Sequence, residues 1–344
     1  MTLQTPDAGV KANPLALSMG EPAGIGGEVT LKAWLRRKDL LTSFFVIDDP
    51  CRLTDLSNEL GIRVPIAVLD KPDQTAALFS NALPVLSVGR PVRTTNGVPT
   101  KDTAAAVLES IETAVRLTQA GDAGGIVTNP VQKEILYSAG FSHPGHTEYL
   151  AALTDTQSSP VMMLAGHNLR VVPVTIHVSL RHALEQLTSD AIVHAARVTY
   201  SALRRDFGIS EPRIAVAGLN PHAGEGGAMG DEEATIIEPA ISALANDGIH
   251  VTGPLPPDTL FSPDLRKTYD AAVCMYHDQA LIPIKALEFD QAVNVTLGLP
   301  FVRTSPDHGT ALDIAGKGIA NESSLISALN LAAKMAERRQ RLAD

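Results

Sequence analysis

The run Val171-Val172-Pro173-Val174-Thr175, the amphipathic segment Asp190–Phe207 and the run Arg213-Ile214-Ala215-Val216-Ala217 together decide the fold. Short, nearly continuous apolar runs flanking a helix-length segment of 3.6 periodicity read as strands buried on both faces and joined by a crossover helix. The same grammar extends outward. Pro14–Met19, Phe44–Ile47, Gly125–Thr128 and Ala271–Met275 read as strands, and Thr103–Thr118, Glu233–Ala245 and Ser324–Arg339 as helices. The expectation is an α/β protein with a largely parallel sheet, whose functional groups sit in loops after the carboxyl ends of strands. At this length two α/β/α domains are expected. Residues 1–145 with 323–344 would form one and 146–322 the other, with the chain crossing near Gly140–Gly145. Ser323 or Ser324 is placed to cap the last helix, which would return to the first domain.

Among 344 residues, 28 Lys+Arg stand against 38 Asp+Glu, a net charge of −10. With no long basic run, that balance argues against nucleic acid as a partner. No run approaches the roughly 18 apolar residues of a membrane span. Met1–Asn13 is polar, without the basic start and apolar core of a signal peptide, and reads as a short mobile tail. Cys51 and Cys274 form no disulfide framework, which suits a reducing cytoplasm.

Five groups of residues carry candidate chemistry. Gly20-Glu21-Pro22-Ala23-Gly24-Ile25-Gly26-Gly27-Glu28 follows the first strand but matches neither the P-loop nor the dinucleotide G-x-G-x-x-G pattern, and its glycines equally suit a tight strand-to-helix turn. After Asn129-Pro130-Val131-Gln132-Lys133, His146 and Thr147 stand where a helix should begin, a place suited to a phosphate or carboxylate; the plain alternative is Thr147 as an N-cap. His177, His222 and His277 each follow a strand, and three imidazoles with an open position hold catalytic divalent metals, zinc above all. Lys285, Asn294 and Arg303 could clamp a phosphate, or form structural bonds and a salt bridge with Glu288 or Asp290, Arg303 following the apolar run Leu297–Val302. Asp307-His308-Gly309-Thr310-Ala311-Leu312-Asp313-Ile314-Ala315-Gly316-Lys317-Gly318 could wrap an adenosine, its carboxylates accepting ribose hydroxyls, or be a surface loop.

Taken together, these segments resemble the PdxA family of 4-hydroxythreonine-4-phosphate dehydrogenases of vitamin B6 biosynthesis, from about Leu15 to Met335. The most specific stretches are Gly218–Gly227, Gly253–Phe261, Met275-Tyr276-His277-Asp278-Gln279 and Asn294–Ser305. The loop His308–Ala320 is similar to the adenosine-binding loop of isopropylmalate and isocitrate dehydrogenases, whose fold is not the Rossmann fold. The resemblance implies a cytoplasmic homodimer with its active site in the interdomain cleft. It places a divalent metal (zinc, magnesium, cobalt or manganese) on His177, His222 and His277, one of them donated by the partner subunit. Substrate contacts would fall on His146, Thr147, Lys285, Asn294 and Arg303, and NAD, or else NADP, on His308, Gly309, Asp313 and Gly316. The implied reaction is oxidation of 4-phosphooxy-L-threonine, with Lys285, Asp258 and Asp278 as candidate proton acceptors, followed by decarboxylation to 3-amino-2-oxopropyl phosphate. D-erythronate or D-threonate 4-phosphate as substrate, a metal-dependent phosphate-ester hydrolase and an acyl-phosphate transferase are the rival readings. Asn129, Gln132 and Gly27 depart from the family pattern, where glycine, histidine and proline are more familiar.

Overall fold

The computed structural model describes residues 13–143, 145–154, 156 and 159–343, so the tail reading of Met1–Asn13 lies, apart from Asn13, outside the described residues. The strands are β1 (Leu15–Ser18), β2 (Phe44–Asp48), β3 (Ile66–Leu69), β4 (Leu83–Ser87), β5 (Ile126–Thr128), β6 (Val161–Ala165), β7 (Arg170–Thr175), β8 (Arg213–Ala217), β9 (His250–Leu255), β10 (Ala271–Tyr276), β11 (Val293–Leu297) and β12 (Arg303–Pro306). They form one 12-stranded sheet in the order β3-β4-β2-β1-β5-β12-β11-β6-β7-β10-β8-β9. Both outer parts are parallel, as their apolar runs predict. At the seam, however, β12–β11, β11–β6 and β6–β7 pair antiparallel. The order and this central reversal are not those of a Rossmann sheet.

The apolar run Leu297–Val302 straddles the seam: Leu297 ends β11, and the next five residues are the connection that returns the chain into β12. Leu299, Phe301 and Val302 in that connection are nonetheless buried, which is why the run is apolar.

Helices cover the sheet unequally. On one face Val29 of helix Gly26–Leu35, Leu203 of Ser189–Arg205 and Leu325, Leu329 and Met335 of Ser323–Ala343 belong to a single core beneath both halves. Each such buried side chain contributes roughly 1.5–3 kcal/mol. On the other face the core is in two pieces. Val107, Ile111 and Val115 of helix Ala104–Gln119 pack over the first half, and Leu281 and Ile284 of His277–Glu288 over the second. Strand alternation at the seam follows from this. Val293 and Val295 join the single core and the Thr304 hydroxyl donates to the Ala328 carbonyl at 2.9 Å. Asn294, Thr296, Arg303 and Ser305 therefore face the gap between the two smaller cores.

Helix Ser323–Ala343 closes this arrangement. Neither serine caps it, since both lie inside the helix: the Ser323 amide donates to Asn321 Oδ1 at 2.9 Å, while Ser324 Oγ accepts from the Asp307 amide at 3.2 Å. Near its far end Arg339 donates from Nε and Nη2 to both oxygens of Asp206, at 2.7 and 3.0 Å, and Arg205 reaches the same carboxylate. Burial opposes ionisation of Asp206, but these bonds outweigh it and hold the group below the usual carboxylate range. Asp206→Asn is expected to destabilise the fold by about 2 kcal/mol at neutral pH. A depressed carboxylate gives its full stabilisation above the unfolded value of about 3.9 and loses it as pH falls through the folded one. Urea melts across pH should therefore show a constant gap between wild type and variant down to about pH 4, closing only below it.

Candidate active site

The gap at the seam is a cavity of about 320 Å³, lined by Thr128, Lys285, Asn294, Arg303, Asp307 and His308 among others. Arg303 opens β12 and is only 5% exposed. Its Nη1 donates to Thr296 Oγ1 at 2.8 Å and its Nη2 to Thr128 Oγ1 at 2.7 Å, hydroxyls supplied by the strands on either side. Nε is buried without a partner, and burial pushes the guanidinium down to about 10, with Glu148 pulling it back. Across the cavity Lys285 pairs with Asp307 at 3.0 Å. This pair replaces the Glu288 or Asp290 partner that the sequence allowed. Glu288 instead caps the β6–β7 hairpin, accepting from the His167 and Asn168 amides. A buried cation held by two hydroxyls, next to an amide and a second cation, is an arrangement that can bind an anion.

A second cavity, of about 220 Å³, lies over the ends of β7 and β10 and is lined by His177, Tyr276, His277 and Asp278. The His177 and His277 rings are 5.9 Å apart, centre to centre. Burial, with help from Lys133 and His277, holds His177 neutral over more of the pH range than a free imidazole. His277 Nδ1 bonds Asp278 Oδ1 at 2.7 Å, leaving Nε2 as the outward nitrogen. A neutral imidazole beside one oriented by a carboxylate is a donor set that fits a divalent cation. Helix His277–Glu288 begins at this pair and carries Lys285, eight residues on, to the anion cavity about 12 Å away.

Other sites expected from the sequence are placed less centrally. His222 is exposed on the loop after β8, where residues 222–226 all have left-handed backbone angles. His222, Ala223 and Glu225 bear a cost of about 1 kcal/mol each there. Asp258 and Asp313 are also exposed, and with His222 and Gly316 they line neither cavity. Thr147 is half-buried in the first turn of helix His146–Ala152, whose cap is Gly145 rather than Thr147; the His146 side chain lies outside the described residues. That helix is pinned by a bond from Tyr149 Oη to Glu112 Oε1 at 2.5 Å.

The glycine-rich loop leans on the first half. Thr310 O accepts from the Ile25 amide at 3.0 Å, and Thr310 Oγ1 donates to Gln132 Oε1 at 3.1 Å. His308 and Gly309 border the anion cavity, and His308 Nε2 is buried without a partner. Nothing stands within 4 Å of where a Gly309 Cβ would be, so a flat ligand can approach the backbone there. Two of the departures from the family pattern have structural reasons. Asn129 Nδ2 ties β1 to the β5 loop through Ser18 O (3.1 Å) and Thr30 Oγ1 (3.0 Å). At Gly27 a Cβ would meet Leu56 at 2.7 Å. Three groups at the site carried no local signal. Thr128 and Thr296 are ordinary strand residues until Arg303 is placed between them, and Glu148 acts through charge on Arg303 and His177.

The fold is an α/β architecture carrying one cavity lined by Arg303, Lys285 and Asn294 and another lined by a histidine pair, as suits an enzyme. The model of the family described as pyridoxal phosphate biosynthetic protein PdxA matches residues 41–332. A 4-hydroxythreonine-4-phosphate dehydrogenase of Bradyrhizobium diazoefficiens is 55% identical over 337 residues, covering 94% of this chain and 97% of its own. One from Caulobacter vibrioides is 50% identical, covering 95% and 99%. The crystal structure of the Klebsiella pneumoniae 4-hydroxythreonine-4-phosphate dehydrogenase superposes with a TM-score of 0.82 at 38% identity, over 94% of this chain and all of that one. The chain belongs to the PdxA family. It is an oxidoreductase of vitamin B6 biosynthesis.

Replacing the unpaired cation separates binding from stability. Arg303→Met is expected to keep or raise the melting temperature while weakening anion binding about ten- to a hundredfold. Thermal melts with and without millimolar inorganic phosphate test this, the phosphate-induced rise being present in wild type and absent in the variant.

Proposed function

We propose that the chain oxidises the secondary alcohol of 4-phosphooxy-L-threonine to 2-amino-3-oxo-4-phosphooxybutanoate, which loses carbon dioxide to give 3-amino-2-oxopropyl phosphate. The observation that carries this reading is the buried, carboxylate-free Arg303 in a cavity joined by one helix to the His177–His277 pair. A divalent cation would supply Lewis-acid polarisation of the alcohol, and NAD the hydride acceptor. His177, His222 and His277 would hold the cation, and the loop with His308, Gly309, Asp313 and Gly316 would hold the dinucleotide.

The chain's own residues do the positioning. Arg303 and Asn294 meet the phosphate, Lys285 turns from Asp307 toward it, and Thr147 and His146 are the further groups proposed to bind it. Holding the phosphate fixes the reacting carbon relative to the histidine pair, which removes much of the entropic barrier. Lys285, Asp258 and Asp278 are the groups proposed to take the alcohol proton. Asp278 is bonded to His277 and lines the histidine cavity.

Among the described residues no three His, Cys, Asp or Glu side chains of one chain converge as a metal site. A homodimer in which a second copy completes the set accounts for this. Val178, Leu180 and Leu184, beside the histidine pair, are 37%, 60% and 48% exposed and supply an apolar surface for that contact. No described helix is long and apolar enough to cross a membrane, and we place the enzyme in the cytoplasm.

Purified protein with NAD, a divalent metal and 4-phosphooxy-L-threonine should give chelator-sensitive NADH absorbance, and His222→Ala should abolish it. D-erythronate 4-phosphate is the parallel substrate: faster turnover on it would keep the chemistry and move the pathway. Phosphate release without NADH from folded protein would overturn the reading in favour of a hydrolase.

A further inference from the structure

The loop bearing His222 has no regular structure of its own to hold it, yet it rests on one buried carboxylate. Glu233 Oε1 accepts from the amides of Leu219 and Asn220 at 2.8 and 2.7 Å, and Oε2 accepts from Asn220 Nδ2 at 2.9 Å. Gly218 and Gly224 close on the same carboxylate, so a Cβ at Gly224 would lie 2.6 Å from Oε2. Glu233 is 4% exposed and opens a π-helical turn, Glu233–Ile237, ahead of the α-helix Glu238–Asn246. Such wide turns are rare and recur at functional sites. The left-handed run at residues 222–226 persists because this carboxylate overdetermines the strand end from which it starts.

A second clip joins this frame to the other histidines. Gln279 Oε1 accepts from the Met275 amide at 2.6 Å, and its Nε2 donates to Gly218 O at 2.7 Å. Gln279 lies two residues after His277, and Gly218 is bonded into the loop that Glu233 holds. Beyond their backbone pairing, the ends of β8 and β10 are thus clipped to each other by a side chain.

We propose that Glu233 and Gln279 are positioning residues for divalent-cation binding, holding the His222 loop in register with His277 before the cation arrives. This rests on the metal reading above. Their effect acts through preorganisation of histidines on two strand ends, and losing such a support typically weakens metal affinity ten- to a hundredfold. Glu233→Gln is a near-isosteric test. Whichever way the amide turns, its N–H₂ faces an N–H of Leu219, Asn220 or the Asn220 side chain.

The test is cobalt(II) titration of the metal-stripped full chain, read by its visible absorption band and by competition with a chelator. Wild type should bind, His222→Ala should lose the band, and Glu233→Gln and Gln279→Ala should each bind ten- to a hundredfold more weakly. Their phosphate-induced rise in melting temperature should match wild type, which a general loss of structure would not allow. Wild-type affinity in both variants, with His222→Ala defective, overturns the positioning role alone. No cobalt binding by wild type overturns it together with the metal reading. Should Glu233→Gln fail to fold, Gln279→Ala decides.

Discussion

The structure turns on an inequality between the two faces of its sheet. Helix Ser323–Ala343 covers the seam on one side, while among the described residues no helix covers it on the other. Strand side chains alternate, so the same short strands must carry valine and threonine toward the helix and polar groups toward the opening. Asn294, Thr296, Arg303 and Ser305 are that polar set. The anion cavity is therefore not added to the fold. It is what remains when a continuous sheet is packed continuously on one face only.

Arg303 shows the energetic side of this arrangement. Two threonine hydroxyls hold its guanidinium, but they are neutral, and the anionic influence on it comes from Glu148 on helix His146–Ala152. A carboxylate in place of either threonine would pair with the buried cation and cancel its charge. Neutral partners aim the group without neutralising it. Lys285, more exposed than Arg303, is by contrast already paired with a carboxylate, that of Asp307.

How much of this could be read from the chain depends on how local the physics is. The outer strands were legible because burial on both faces makes each run apolar, whatever its neighbours. The seam was not, because antiparallel β11 and β12 are set by pairing across the sheet, and the connection between them is apolar only through its own burial. Candidate ligands after β7, β8 and β10 could be picked out, since histidines at strand ends stand out in an apolar context. Their supports could not. Glu233 sits in an amphipathic pattern as any surface acid would, and Gln279 as any first-turn residue. Consecutive left-handed residues at His222 and Ala223 contradict their own propensity and require the tertiary cradle to exist.

The place of β12 in the sheet has a consequence for how the chain is made. β5 emerges early in synthesis, but its outer edge pairs with β12, more than 170 residues later. Until Arg303–Pro306 leaves the ribosome, the first half presents an open parallel edge, and its other side waits for the Ser323–Ala343 helix. The nascent first half is thus a sheet with a free border, prone to pairing with other chains, and needing shelter during translation. The strand that finally seals this border is the one that begins with Arg303, so the cavity it lines is among the last features to form.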